Sequence, residues 1–201
     1  MKSVIFEPLR ILIAKYCWIS CFGLSVLNMN CESSSDRPDS IVSGMWQSDC
    51  RNSDARSSRK SMVFQGLVMT RSTEIFTDLN CSTPSYSTSL ISEFSTSEPN
   101  ASGVQQIDTV VRRFLWNVLN EDHISPEYNQ RGWCGYNNWT VNEPKDCAGR
   151  VGDDQIFPSK GDEGFNILKV KNNTLLLGIS DSNSRQGRPS ELDYEEVFFK
   201  Q

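Results

Sequence analysis

Few side chains in this sequence are placed to do chemistry, and most of those are cysteines. Beyond residue 31 four remain, Cys50, Cys81, Cys134 and Cys147, with no C-x-x-C and no Cys/His spacing. In an exported chain an even set reads as two disulfides. Three pairings are possible. Cys50–Cys81 with Cys134–Cys147 is favoured, because each closes a local segment. Zinc is the rival use of such residues, but the one His, His123, stands alone, so no metal is expected. His123 follows Glu121 and Asp122, and a His beside a carboxylate can act as a general base. No nucleophile accompanies it: there is no G-x-S-x-G, and the four cysteines are assigned to disulfides. The expectation is a protein that binds and does not catalyse, and that needs no cofactor.

Two further groups have side chains suited to recognition. Asp153, Asp154, Asp162 and Glu163 lie among Gly152, Gly161 and Gly164. They offer the oxygen ligands calcium takes, but in no EF-hand spacing, and they read as a solvated acidic loop. Trp133, Tyr136 and Trp139 lie within seven residues, with Asn137 and Asn138 between the last two. Such a cluster either forms a stacking surface for a sugar or protein partner or supplies the small core of its own loop.

The elements that must position these groups begin after an address. Lys2, Arg10 and Lys15 precede an apolar run from Tyr16 to Leu27, 12 residues long. A positive region followed by a short apolar one is the form of a secretory signal peptide, and the run is shorter than the roughly 20 residues a membrane helix needs. Leu27-Asn28-Met29-Asn30-Cys31 follows, then the Ser-rich stretch Glu32–Asp36. This layout resembles a bacterial lipoprotein signal. The resemblance implies that residues 1–30 are removed, that Cys31 carries acyl chains, and that 31–40 is a tether. The protein would then be exported and anchored in the outer membrane, on its periplasmic or cell-surface side.

The whole chain has 201 residues and a net charge of −5. Removing residues 1–30 takes Lys2, Arg10, Lys15 and Glu7 with it and leaves −7. An acidic chain of this kind is no nucleic-acid binder, since phosphate contacts need clustered Lys and Arg. It is repelled by anionic headgroups, so membrane attachment falls to the acyl chains, which hold stably only when there is more than one.

Residues 41–201 read as one all-β domain. The expected strands are Val42–Ser48, Ser61–Thr70, Thr73–Asp78, Tyr86–Phe94, Gln105–Leu115, Phe165–Val170, Leu175–Ile179 and Tyr194–Lys200, rich in Val, Ile, Phe and Thr. Lys171-Asn172-Asn173-Thr174 is a hairpin signal, because Asn tolerates positive φ. Residues 120–150 carry Pro, Gly and Asn in quantity and read as a long, disulfide-stapled loop with one helical turn near Pro126–Gln130. About eight short strands make an antiparallel barrel or, alternatively, a β-sandwich.

At the first strand stands Gly44-Met45-Trp46, which resembles the G-x-W signature of the lipocalin and wider calycin group. The resemblance implies an up-and-down barrel closed at one end by Trp46, with Gly44 required beside it and a late Arg, Arg185 or Arg188, across the indole. It also implies a small apolar ligand in the barrel mouth, against inward residues such as Phe64, Val68, Ile107 and Val111. The competing expectation is a surface interaction protein, an adhesin or an enzyme inhibitor, working through the aromatic loop 131–140.

Overall fold

A computed structural model describes residues 39–201 apart from 124–127 and 153–154. The expected leader 1–30 and Cys31 lie outside the described residues, and so does part of the helical turn expected at Pro126–Gln130. The last two residues of the expected tether open a single helical turn, α1 (Asp39–Val42). Twelve strands follow: β1 (Gly44–Ser48), β2 (Arg51–Ser53), β3 (Arg56–Gln65), β4 (Val68–Phe76), β5 (Pro84–Thr96), β6 (Val104–Val118), β7 (Lys145–Asp146), β8 (Val151–Gly152), β9 (Gln155–Ile156), β10 (Glu163–Lys171), β11 (Thr174–Gly178) and β12 (Leu192–Lys200).

Eight of these close into an antiparallel barrel in the order β1, β3, β4, β5, β6, β10, β11, β12. Closure falls to β1, whose Trp46 is opposite Met62 of β3 on one side and Lys200 of β12 on the other. A strand paired on both edges leaves no open edge in the sheet, and the sandwich alternative is thereby set aside. The up-and-down order is compatible with a lipocalin-like barrel.

The hairpins follow from local chemistry. Asn172 and Asn173 have φ of 48° and 61° and join β10 to β11 through the expected two-residue turn. One strand expectation is corrected. Ser61–Thr70 is not a single strand but a hairpin, β3 to β4, turning at Gly66 (φ 59°) and Leu67. The turn resets the two-residue alternation of inward and outward side chains. Met69 therefore faces the core and Val68 is 42% exposed.

Two cores result. The first fills the closed end of the barrel with Trp46, Met62, Phe64, Met69, Phe94, Ile107, Leu168, Leu175 and Phe198, plugged by Val42 of α1. The second exists because β6 outruns β10. Their pairing stops at Val110 opposite Glu163, while β6 continues beside β5 as far as Val118 opposite Tyr86. On the inner face of this extension stand Phe114, Trp116 and Val118. The loop after β6 folds back onto them with Tyr128, Trp133, Trp139 and Phe157, and β7 pairs there through Leu115–Asp146 and Trp116–Lys145.

Candidate functional site

Above the filled end the barrel opens into a cavity of about 1110 Å³. Its apolar surface comes from Met62, Met69, Leu90, Ile107, Val111 and Leu177. These are the inward positions of β3 to β6 and β11, where successive side chains alternate between faces. Ile156 to Ser159, Gly161 to Gly164 and residues 181–183 form much of the rest of the mouth. It stays open where β6 and β10 part, because the chain from Ser159 to Asp162 turns back to Val111 instead of pairing strand to strand. Val111 N donates to Asp162 O at 2.9 Å, and Gly161 N donates to Val111 O at 2.8 Å.

The wall on the β4 and β10 side is polar. Arg71 is ion-paired with Asp181, and Asn166 Nδ2 donates to the other Asp181 oxygen at 2.5 Å. Asn166 Oδ1 is held in turn by Gly178 N at 2.9 Å. Position 178 must be glycine, since a Cβ there would strike Asn166 Oδ1 and lie 2.9 Å from Pro189 Cβ. Below, Lys60 Nζ lies 2.8 Å from Glu196 Oε1, and Arg51 lies 3.8 Å from the same carboxylate. Burial alone would push the Asp181 carboxyl up. The Arg71 charge and hydrogen bond, the Asn166 amide and the more distant Lys60 together hold it below the usual carboxylate range.

The sequence-predicted residues divide between this site and the scaffold. Both disulfides form as expected, Cys50–Cys81 and Cys134–Cys147. Trp46 is buried to 1% in the closed end and donates from Nε1 to Val42 O at 2.7 Å. Gly44 is required, but by its backbone: φ is 112°, and a Cβ there would meet only Lys200 Cε, at 3.4 Å. The late arginine is a correction. Neither Arg185 nor Arg188 reaches Trp46; both lie over Phe165, at 5.5 and 5.4 Å, and Lys200 Nζ covers the indole at 5.3 Å. The reason is path and register. The chain before β12 bridges Ser182 to Phe165, which carries both arginines to β10. Arg188 then donates to Asn166 O at 2.7 Å, Ile107 O at 3.0 Å and Asp108 Oδ1 at 2.5 Å, clasping β10 to β6.

Of the four side chains expected in the mouth, Ile107 and Val111 line it. Phe64 lies in the filled core, edge-on to Phe94 at 5.2 Å, and Val68 faces out. The aromatic loop takes the second of its two expected roles, the core of its own loop, and not that of a candidate binding surface. Trp139 is buried to 2% and meets Tyr136 edge-on at 5.8 Å, while Trp133 packs on Trp116 at 5.0 Å. Trp133 and Tyr136 are half-buried, and Arg150 and Lys145 cover the Tyr136 ring at 4.3 and 5.5 Å. The rings are the core of their own loop and form no open stacking face.

Asp153 and Asp154 lie outside the described residues, and Asp162 and Glu163 stand exposed at the mouth. Glu121–His123 forms a 3-10 turn. Among the described residues no group of three or more His, Cys, Asp and Glu is placed to hold a metal ion. Sequence reasoning missed Arg71, Asn166 and Asp181. Arg71 was findable: with the Gly66 turn recognised, it shares the inward phase of Met69. No known family model matches this chain, and no curated protein matches it.

Proposed function

We propose that this chain is an exported, non-catalytic binding protein whose barrel mouth holds a small, largely apolar molecule. In this reading acyl chains on Cys31 keep it at the outer membrane. The observation that carries the ligand reading is the cavity of about 1110 Å³ over an apolar floor of Met62, Met69 and Ile107. Small-molecule sites are commonly concave, mostly apolar and crossed by a few fixed polar groups, with volumes of roughly 300–1000 Å³. Arg71, Asn166 and Asp181 are such groups. Methionines suit a floor of this kind, since their unbranched thioethers adapt to irregular ligands.

The test is native mass spectrometry of the purified protein, followed by titration of the stripped protein with the neutral fluorophore N-phenyl-1-naphthylamine. Expected are a retained small mass, or saturable uptake of the dye that Met69→Trp blocks by filling the floor. A protein with no adduct and no saturable uptake would overturn the reading. The anchor is tested separately by Cys31→Ser, which is expected to abolish acyl labelling and release the protein from the membrane fraction. Unchanged labelling would refute it.

A further inference from the structure

We infer that the ligand of this mouth carries a cationic group, an amine or ammonium on an apolar body, and that fatty acids and other anionic amphiphiles are disfavoured. This rests on the mouth being a ligand site, and it deepens that reading from two independent accounts of the same lining.

The first account is charge. Four lining residues are charged, Arg71 against Asp162, Glu163 and Asp181, so the lining has an excess of two negative charges. The cation of the lining and the lysine beneath it are already committed. Arg71 is paired with Asp181, and Lys60 is paired with Glu196 below. A carboxylate or phosphate head settling against this lining would lose water and find no unpaired cation within it, which is costly for a charged group.

The second account is hydrogen bonding. Three neutral donors of the lining are spent, while Ser159 Oγ and Asn183 Nδ2 remain. Asn166 Nδ2 donates to Asp181, Thr109 Oγ1 to Gly164 O at 3.2 Å, and Ser182 Oγ to Ser184 O at 2.9 Å. Acceptors remain. Asp162 uses one oxygen for Ser159 N at 2.7 Å. Glu163 has no hydrogen-bond or ion-pair partner among the described residues. An ionised carboxylate only accepts and an ammonium only donates. The charged groups of the lining left open are therefore acceptors, which an ammonium can engage and a carboxylate cannot. A field of one sign in a cleft also concentrates ligands of the opposite sign.

The experiment compares three probes with one tail, dodecylamine, dodecanol and laurate, each below its micelle concentration. Each displaces N-phenyl-1-naphthylamine from the full chain at neutral pH and low salt. Dodecylamine is expected to displace at about tenfold lower concentration than laurate, with dodecanol between, and 1 M salt should narrow the span. The double variant Asp162→Asn, Glu163→Gln should collapse the amine-to-laurate ratio towards one, with an unchanged far-ultraviolet dichroism and melting curve showing that the variant folded. Laurate binding as well as dodecylamine, or a ratio untouched in the variant, would overturn the inference and leave the apolar site standing. Displacement by none of the three would overturn the site itself, and the inference with it.

Discussion

At Trp46 a three-residue pattern and a long-range contact meet. The indole is buried, capped inside by the Val42 carbonyl and outside by the Lys200 ammonium. Trp46→Ala should cost about 3–5 kcal/mol in urea denaturation, as large aromatic truncations in cores do. Lys200→Met should cost only about 0.5–1 kcal/mol, the range of an exposed cation–π contact. Gly44 and Trp46 were legible because the signature is local. Lys200 was not, because its partner lies at the other end of the chain and only the β1–β12 register joins them. A second residue-scale prediction concerns Asp181. Its carboxyl is held below the usual range in the folded protein. Its contribution to stability is therefore full above the unfolded value of about 4 and fades as pH falls through the lower folded value. Asp181→Asn should lower the melting temperature at pH 7, where it strands Arg71. The gap to the parent protein should shrink as both are acidified below about pH 4; a gap constant with pH would contradict the pairing.

Among the elements, the turns show what sequence reading can resolve. Asn172-Asn173 announced its hairpin because both residues tolerate positive φ, and both adopt it. Asn173→Val should cost about 1–2 kcal/mol, the penalty of a side chain in the left-handed region, whereas Asn173→Gly should be near neutral; chemical denaturation of the pair checks this. Gly66 went unread because the apolar run on either side of it continues as a strand would. One residue of slip then assigned Val68 to the interior in place of Met69. The aromatic loop was ambiguous for another reason. Trp133, Tyr136 and Trp139 suit a surface or a core equally well, and the length by which β6 outlasts β10 decides between them. Only the folded sheet reveals that length. The Cys134–Cys147 link spans 13 residues and should contribute about 3 kcal/mol. Cys134→Ser with Cys147→Ser should therefore loosen this second core first. The expected signature is a red-shifted emission from Trp116, Trp133 and Trp139 at denaturant concentrations where the barrel's far-ultraviolet dichroism persists.

For the whole molecule, fold class was the most legible property, because eight short alternating segments with turn signals have few ways to bury themselves. The mouth was the least legible, because it is defined by what the two cores leave unfilled. One feature of the barrel governs how it must be made. The five-residue β1 is the stave between β3 and β12, and the last residue, Gln201, donates its backbone N–H to Met45 O at 2.9 Å. The first strand of the barrel therefore keeps one edge bare until β12 is in place. Sheets built on such distant pairings have high contact order and fold in milliseconds to seconds, not microseconds. Deleting Leu192–Gln201 should leave a collapsed, aggregation-prone chain with two raw edges. A circular permutant joining Gln201 to Ile41 and opening at Asn100–Gly103 makes that same seam a local hairpin but moves the distant pairing to the much longer β5–β6 seam, and should refold more slowly than the parent in stopped-flow measurements. The barrel is thus a structure whose assembly waits on its twelfth strand, and until that strand docks two raw edges stand open to any neighbouring chain.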